Sequence, residues 1–400
     1  MRFPKFSGEW EICKVSELLD FYSTNSLSWE QLEYGEKAMM NLHYGLIHVG
    51  LPTMVDLRRD KLPNVKEGNM PKNFELCKEG DVAFADASED TNEVAKVIEL
   101  FNLDNKDIVC GLHTIHGRDN KNKTIVGFKG YAFSSSAFHN QIRRIAQGTK
   151  IYSISTKNFS ECYVGIPSKA EQTKIATLLR LIDERIATQN KIIEDLKKLK
   201  SAISQHLFSQ EPNVWNRLDN LFVKGKAGGT PISTNKEYYN GNIPFLSIND
   251  ITRQGKYIWL TEKHISLNGL ENSSAWIVPK HSLIMSMYAS VGLVTINQVP
   301  IATSQAMFSM LLRDKSLLDY LYYYLSYFKY RHIHKYLETG TQSNINADIV
   351  SGIMIPDYGY RHNMQIASML QSIDMKIDNE SSILERYSQQ KNDLLSSLFI

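Results

Sequence analysis

The sequence lacks the features that would place it among membrane-bound, disulfide-rich or polycationic proteins. None of its apolar runs approaches the length of a membrane span, and its first residues lack the apolar stretch of a signal peptide. Its four cysteines, Cys13, Cys77, Cys110 and Cys162, form no CxxC pair, which predicts reduced, buried thiols in a cytoplasmic protein. The net charge of +2 excludes a polycation, and 400 residues with 42% hydrophobic content predict two or three soluble domains.

Motifs for catalysis are also missing. There is no GxxxxGK[ST] loop, since residues 224–230 resemble a phosphate loop only in composition, and no Asn-Pro-Pro-aromatic tetrad for methylating a base. Histidine pairs occur as His113 with His116 and as His332 with His334, but neither pair has a third ligand at a recognisable spacing. The sequence therefore predicts neither catalytic residues nor a metal site.

One stretch of the chain, residues 175–209, occurs twice. The second copy lies 191 residues further on, needs no gap, and like the first contains neither glycine nor proline. Apolar residues recur in alternating steps of three and four, which predicts a helix with the heptad seam of a coiled coil, roughly 50 Å long at 1.5 Å per residue. The predicted helix-pair interface consists of Ile175, Leu179, Ile182, Ile186, Gln189, Ile193, Leu196, Ile203 and Leu207 in the first copy, and Ile366, Leu370, Ile373, Ile377, Glu380, Leu384, Tyr387, Leu394 and Leu398 in the second.

Polar residues mark the middle and the start of this repeat. Gln189 and Glu380 occupy the same step of the two seams, where they would face each other in an antiparallel pair and fix its register at some cost in stability. Ser168 is the predicted N-cap of the first helix, and Glu171 completes a Ser-x-x-Glu capping box. Pro167 biases the residue before it away from helix and so ends the preceding unit.

The rest of the chain forms two mixed α and β units, which gives the order globule, helix, globule, helix. Trp10 opens the first unit and Trp215 the second, and the repeat period near 190 residues favours a duplicated domain over a solenoid. Local patterns predict strands at 80–86, 108–116, 125–133, 150–155, 243–248 and 282–287, and helices at 30–41, 91–101 and 317–337.

Basic residues are concentrated locally although the total charge is small. Residues 117–160 contain eight basic residues and one acid, and residues 215–345 contain thirteen basic and eight acidic residues. Such local fields suit a polyanion, and the alternative is a solvated basic face. Arginine suits guanine edges, asparagine suits adenine, and aromatic residues between cations can stack on bases. The predicted DNA-binding residues are Arg118, Lys121, Lys123, Asn140, Arg143, Arg144, Thr149, Lys150, Lys226, Thr230, Lys329, Arg331, Lys335, Thr341, Gln342 and Asn344.

Four groups of short motifs in the chain match one known family. Each long helix follows an Ile-Pro, begins with Gln-x-x-Ile-Ala or Gln-Ile-Ala, and ends with Leu-Phe. The other motifs are Gly229-Thr230-Pro231 followed by Ile243-Pro244-Phe245 and Asn249-Asp250-Ile251, the Gly-Thr segments at Gly148 and Gly340, and Asp86-Ala87-Ser88-Glu89-Asp90 with Gly111-Leu112-His113-Thr114. With these motifs the whole chain resembles the specificity (S) subunit of type I restriction–modification enzymes. The first unit lacks the Gly-Thr-Pro opening of the second, so the two units have diverged.

The resemblance implies an α+β fold of two similar target recognition domains. These domains would be residues 1–166 and 211–355, separated by long helices at 167–210 and 356–400 that pair as an antiparallel, pseudo-twofold symmetric coiled coil. Each domain would read one half of a split site in double-stranded DNA, and the helices would set the spacing and dock two methylation (M) subunits. Restriction (R) subunits would complete the complex. This chain would be non-catalytic and hold no cofactor, whereas S-adenosylmethionine, ATP and Mg would bind the partner subunits.

Two other classes of function remain open on the sequence alone. The chain could be a nuclease or methyltransferase with an unrecognised site, and modification or cleavage of DNA by the purified chain without partners would favour that reading. It could also be a coiled-coil scaffold that binds only protein. Strong salt dependence of DNA binding would exclude the scaffold, because counterion release requires phosphate contacts.

Overall fold

The computed structural model describes residues 2–3, 5–35, 39–336 and 344–399 of the chain. The chain divides into two compact units: unit 1 consists of Met1–Lys191 with Ser381–Ile400, and unit 2 consists of Ile192–Glu380. None of the helices in the described ranges is long and apolar enough to cross a membrane. The four cysteines are buried free thiols, as the sequence predicted.

Unit 1 contains short strands and short helices, and then the first long helix begins. Its strands are β1 (Glu11–Lys14), β2 (Asp20–Tyr22), β3 (Leu32–Glu33), β4 (Met39–Leu42), β5 (Met54–Asp56), β6 (Asn64–Val65), β7 (Val82–Ala85), β8 (Ala87–Ser88), β9 (Val97–Asn102), β10 (Asp107–Cys110), β11 (Thr114–Arg118), β12 (Tyr152–Ser153) and β13 (Tyr163–Ile166). Its helices are α1 (Val15–Leu18), α2 (Tyr44–His48), α3 (Lys129–Phe133), α4 (Ser136–Ile145), α5 (Thr156–Ser160) and the start of α6 (Lys169–Phe208). A 3₁₀ turn spans Trp29–Gln31.

Unit 2 repeats this composition. Its strands are β14 (Val214–Arg217), β15 (Phe222–Ala227), β16 (Tyr239–Leu246), β17 (Tyr257–Ile258), β18 (Lys263–Ile265), β19 (Ile277–Val278), β20 (Leu283–Ser286), β21 (Val294–Asn297), β22 (Ile301–Thr303), β23 (Met307–Leu312) and β24 (Met354–Asp357). Its helices are α7 (Ile248–Gln254), α8 (Leu267–Glu271), α9 (Leu318–Arg331), α10 (Ala347–Ser351) and the start of α11 (Tyr360–Ser397). 3₁₀ turns span Leu218–Leu221, Lys236–Tyr238, Lys315–Leu317 and Ile333–Tyr336.

The main sheets of the two units have the same topology. The strand order is β2-β11-β7-β9-β5 in unit 1 and β15-β23-β20-β21-β17 in unit 2. In both sheets the first three pairings are antiparallel and the last is parallel. Equal order and equal strand directions over five strands indicate one duplicated fold, as the 190-residue period predicted.

Each unit also has a four-stranded sheet that differs only at its edge. The order is β10-β4-β6-β3 in unit 1 and β18-β16-β22-β19 in unit 2, with β4–β10 and β16–β22 as the parallel pairs. An isolated antiparallel bridge between Leu76 and Val109 stands where β19 pairs with β22. In each unit the opening strand pairs with the strand before the long helix, β1 with β13 and β14 with β24.

Four local predictions in unit 1 were wrong. The helices expected at 30–41 and 91–101 are instead a 3₁₀ turn with β3 and β4, and a turn followed by β9, because their apolar residues pair across sheets. The strand expected at 125–133 is a turn and α3, whose residues are all buried, so period alone could not separate the two. The single strand expected at 108–116 is broken at His113, whose φ of +56° reverses the chain, and β10 and β11 join different sheets.

The long helix α6 is capped and anchored where the sequence predicted. Ser168 Oγ accepts the Glu171 amide at 3.4 Å, but the Glu171 carboxylate binds the Arg2 guanidinium at 2.7 and 2.8 Å instead of completing a capping box. Gln172 is fully buried, accepts the Ile125 amide and donates to two backbone carbonyls. This amide therefore fastens the start of α6 to unit 1.

The Leu-Phe endings of the two helices fill aromatic cores. Phe208, at the end of α6, lies 5.3 Å from the ring of Tyr324 in unit 2. Phe399, just past α11, lies 5.9 Å from Phe128 and 6.2 Å from Trp10 in unit 1. The C-terminal helix thus returns to the residues that open the chain. Each helix starts in the core of one unit and ends in the core of the other.

The helices run antiparallel within unit 1. Asp183 binds Lys391 at 2.7 Å and Arg185 binds the Tyr387 hydroxyl at 3.3 Å, so residue numbers rise along one helix as they fall along the other. In unit 2, Lys200 of α6 binds Asp374 of α11. All eighteen predicted seam residues are buried or half-buried. Gln189 and Glu380 are each 7% exposed, and their predicted pairing stays a prediction.

Candidate nucleic-acid interface

A basic helix end and a tight loop project from unit 1. Arg143 and Arg144 lie exposed in the last turn of α4, and Arg143 donates to the Asn140 side chain at 3.1 Å. Backbone hydrogen bonds between Gln147 and Ser153 then close a loop whose exposed tip carries Thr149 and Lys150. These predicted residues are therefore available to a phosphate backbone.

The Gly148 backbone makes this loop possible. Its φ is +143°, and an added Cβ would lie 1.8 Å from the Ile151 carbonyl oxygen. Only glycine fits so close to backbone, which explains the Gly-Thr segment in physical terms. The loop also brings β12 beside β8, so the Gly148 segment and the Asp86–Asp90 motif lie together.

A cavity of about 640 Å³ opens between these motifs. Tyr44, His48, Lys96, His113 and Ile151 lie on its wall together with the backbone and side chains of β8. His113 Nδ1 contacts Asp86 Oδ1 at 3.2 Å, and its ring lies 5.3 Å from that of Tyr44. Aromatic and imidazole rings beside carboxylate and amide groups suit a nucleotide base, which offers both a π-face and hydrogen-bonding edges.

The sequence predictions missed Tyr44 and His48. Neither lies in a basic segment, and the helix expected at 30–41 ends before both of them. In the folded chain Trp29, His43 and Tyr44 stack in series, with ring centroids 4.4 and 4.6 Å apart. Only the structure shows this stack. Burial lowers the pKa of His43, so this ring is a neutral support at neutral pH.

Arg118 is not a surface cation, contrary to its predicted DNA contact. It is 7% exposed, and its guanidinium donates to Asp81, Glu75 and the Leu76 carbonyl. The hydrogen bond to Asp81 raises the pKa of Arg118 further above its usual value. This guanidinium uses four of its five N–H donors on partners inside unit 1, so it stabilises the core of the unit and is not an exposed phosphate contact.

Two further lysines of the predicted set are partly engaged within unit 1. Lys121 is exposed, with its ammonium on the Glu17 carbonyl at 2.8 Å. Lys123 is half-buried and donates to Glu11 at 2.6 Å. A phosphate would have to compete with these acceptors, so both contacts would contribute less than those of Arg144 or Lys150.

In unit 2 the predicted basic and aromatic residues separate into two groups. Lys329 is half-buried beside Gly292, and burial lowers its pKa. Arg331 donates to Gln205 of α6, which holds its guanidinium against the long helix. Lys335 and Tyr330 are exposed, and Tyr330 is 79% accessible. The tyrosines earlier in α9 pack inward, so the exposed ring lies at the C-terminal end of this helix and the exposed cation in the 3₁₀ turn after it.

Two more predicted residues of unit 2 lie on the Gly-Thr-Pro turn and on β15, the strand just before it. Thr230 and Lys226 are exposed, and the Thr230 hydroxyl donates to Gln305. Gly228 is required because an added Cβ would lie 2.0 Å from the Thr303 carbonyl oxygen. Asn344 is half-buried, whereas Thr341 and Gln342 lie outside the described residues.

Comparison with known proteins was made over the whole chain. The family model for the type I restriction modification DNA specificity domain matches residues 60–198 and again 212–386. The specificity subunit of the type I restriction enzyme MjaIX from Methanocaldococcus jannaschii is 26% identical over 179 residues, which cover 43% of this chain and 40% of that protein. The specificity subunit of the type I restriction enzyme HindI from Haemophilus influenzae is 33% identical over 133 residues, covering 32% of this chain and 28% of that protein.

Both alignments span less than half the length of the relatives. A solved structure extends the likeness over the full chain: that of the S subunit of a type I restriction–modification system from M. genitalium superposes with a TM-score of 0.59 at 16% identity. It covers 100% of this chain and 99% of that one. At 16% identity the likeness concerns the fold alone.

Proposed function

Because the chain belongs to the family of type I restriction modification DNA specificity domains and matches that model twice, we propose that it is the DNA-reading subunit of a restriction–modification complex. Each unit reads one half of a bipartite site in double-stranded DNA. The observation that carries this proposal is the duplication of one sheet topology, each copy followed by a long helix.

The reading surface of unit 1 combines two kinds of contact. Arg143, Arg144 and Lys150 bind phosphates and set the position of the duplex, because they are exposed and only Arg143 has a side-chain partner. Tyr44 and His113 line the adjacent cavity and offer base-reading groups. In unit 2 the corresponding contacts come from Tyr330 at the end of α9 and Lys335 in the 3₁₀ turn after it, with Lys226 in β15 and Thr230 on the Gly-Thr-Pro turn.

The long helices act as the spacer and as a docking platform. An unbroken helix of 40 residues is about 60 Å long, which exceeds one 34 Å turn of B-DNA. Recognition domains held by such helices contact separated patches of one duplex. The exposed faces of α6 and α11, which carry Leu181 and Met369 at 47% and 49% accessibility, are the surfaces on which two methylation subunits dock.

This chain contributes recognition, and its partners contribute the chemistry. S-adenosylmethionine binds the methylation subunits, while ATP and Mg bind the restriction subunits. Within the described ranges, acids such as Asp56 and Asp60 bind Arg58 and a backbone amide in one turn, so a purely structural role accounts for them. A purified chain that cut or methylated DNA alone would contradict this division.

A methylation map of the native genome tests the proposal. Adenine methylation is compared with that in a strain lacking this chain. We expect a set of methylated adenines, lost in the deletion strain, that share two defined half-sites separated by a fixed gap. An uninterrupted motif, or an unchanged map, would contradict the bipartite reading.

Single substitutions assign the half-sites to the units. Tyr44→Ala in unit 1 should relax one half-site, and Lys335→Ala in unit 2 should weaken methylation uniformly across sites, because one reads bases and the other binds phosphate. Lys315→Ala is the matched control, since Lys315 is exposed in unit 2 but lies outside the long helices and the proposed reading surface. Relaxation of both half-sites by the unit 1 substitution would refute the assignment.

A further inference from the structure

Two cysteines and one histidine meet in the interior of unit 1. Cys77 precedes β7, Cys110 ends β10, and His116 lies in the middle of β11. Their donor atoms all lie within 4.8 Å of one another, and the residues are 6%, 2% and 1% exposed. The sequence prediction overlooked the cluster because it sought ligands at short spacing, whereas the fold brings together residues 33 and 39 positions apart.

One ring nitrogen in this cluster has no partner. His116 Nε2 contacts Asp81 Oδ2 at 2.7 Å, and Asp81 is 1% exposed and also bound by Arg118. A carboxylate at Nε2 selects the tautomer that carries its proton there and leaves the lone pair on Nδ1. In the described part of the chain, buried Nδ1 has neither donor nor acceptor within hydrogen-bond distance. An orphaned buried acceptor is costly, and a metal ion held with the two sulfurs would satisfy it.

The support behind His116 is the type that metal-binding histidines have. A ligating imidazole usually donates its other N–H to a carboxylate, which fixes the ring and raises its basicity. Asp81 supplies that carboxylate, and the guanidinium of Arg118, in turn bound to Glu75, holds Asp81 in place. The hydrogen bonds from Arg118 to Asp81 and from Asp81 to His116 therefore fix the orientation of the His116 ring beside the two sulfurs.

The distance between the sulfurs is compatible with a tetrahedral metal. Cys77 Sγ and Cys110 Sγ are 3.6 Å apart. With metal–sulfur bonds of about 2.3 Å, that separation corresponds to an S–metal–S angle of about 103°. This value is nearer the tetrahedral preference of Zn²⁺ than the trigonal arrangement of a three-coordinate ion.

Unit 2 provides a natural comparison because it has the same sheets without the ligands. The strand registers place Val278, Thr303 and Ser309 where unit 1 has Cys77, Cys110 and His116. All three are fully buried, so the same interior position is packed in both units. Thiolate and imidazole donors therefore belong to unit 1 alone and are not imposed by the fold.

We propose that Cys77 Sγ, Cys110 Sγ and His116 Nδ1 bind one zinc ion that ties the two sheets of unit 1 together. Binding converts both thiols to thiolates and releases their protons to solvent, so the step needs no oxidant or reductant. The fourth position of the zinc is left to a small exogenous donor. Because Cys110 belongs to the four-stranded sheet and His116 to the five-stranded one, the bound ion cross-links the two sheets.

Metal analysis of the purified full chain tests this site. The chain is prepared without a histidine tag or chelator, and zinc and copper are measured per chain by mass spectrometry. We expect about one zinc per chain, and after removal and replacement with Co²⁺ we expect the thiolate-to-cobalt charge-transfer absorption. Cys110→Ser and Cys77→Val should both reduce zinc to background. The valine variant is safe for folding because Val278 occupies that place in unit 2.

Cys162→Ala is the matched control, since Cys162 is also buried in unit 1 but lies outside the cluster. It should retain full zinc content. Any of three results would overturn the proposal: copper in place of zinc, a Cys77–Cys110 disulfide in non-reducing peptide mass spectrometry, or equal zinc content in the folded Cys77→Val variant and the native chain. Because none of these readouts involves DNA, failure here would leave the proposed reading function untouched.

Discussion

The length of the helix pair should set the gap between the two DNA half-sites. The perturbation duplicates residues 185–191 within α6 and 374–380 within α11, one heptad in each helix. Each duplication repeats one apolar and one polar seam position of its heptad, so the seam spacing continues and the antiparallel register is kept. Both helices are unbroken over these residues, so the insertion extends regular structure.

The magnitude follows from helix and duplex geometry. Seven residues at 1.5 Å add about 10.5 Å, which is about three base pairs at 3.4 Å each. Three base pairs also turn the duplex by about 100°, whereas one heptad turns a straight helix by only about 20°. We therefore expect the preferred gap to grow by about three base pairs and the affinity to fall, because the DNA must twist to present both half-sites.

Methylation mapping with the variant and its partner subunits measures the gap directly. Two controls separate spacing from damage. Seven residues inserted at Gly68, in an exposed turn with open space around it, should leave the gap unchanged. A heptad added to α6 alone should abolish methylation, because the seams no longer match. Methylated sites with the original gap in the double-insertion variant would refute the proposal that the helix pair sets the gap.

Three further predictions concern stability, charge and pH. Leu179→Ala should lower the free energy of unfolding by about 2–5 kcal/mol in urea denaturation, because Leu179 is 0% exposed. Leu181→Ala, at a site that is 47% exposed, should lower the free energy of unfolding far less. Equal losses from the two substitutions would contradict the assignment of Leu179 to the buried seam. Arg144→Ala should weaken DNA binding uniformly across sequences and reduce the slope of log K against log salt by about 1 in fluorescence titrations. An unchanged slope would remove Arg144 from the interface. Burial, and next the charge of His113, lower the pKa of His43, so its contribution to stability is present above its unfolded pKa near 6.5 and is lost as pH falls below that value. The free energy of unfolding should therefore fall less between pH 7 and pH 5 in His43→Asn, which retains a cap for the Gly45 amide, and an equal fall would refute this role.

The candidate site was only partly predictable from composition. Arg143, Arg144 and Lys150 are exposed as expected, because a run of cations with few apolar neighbours has no core to enter. Arg118 belongs to the same run but is buried, because Asp81, 37 residues away, neutralises it. No local pattern encodes a partner at that separation, so counting charges could not distinguish the exposed cations from the buried one.

The long helices were the most predictable elements. Seven-residue periodicity depends on side chains three and four positions apart on one helix, which are local in sequence. The same locality placed the N-cap at Ser168, since the cap acts on an amide three residues away. The ion pair of Glu171 was not predictable, because the partner of this carboxylate, Arg2, lies 169 residues earlier.

By itself the sequence determined the duplication, the two long amphipathic helices and the positions of the basic segments, because each is a matter of spacing along the chain. Only the tertiary structure decided that Ile125–Phe133 ends in a helix, that residues 108–116 feed two sheets, and that Cys77, Cys110 and His116 converge. The physical reason is the range of the interactions. Helix periodicity acts over a single turn, whereas sheet pairing and ligand clusters depend on residues tens of positions apart, whose meeting is decided by how the core packs.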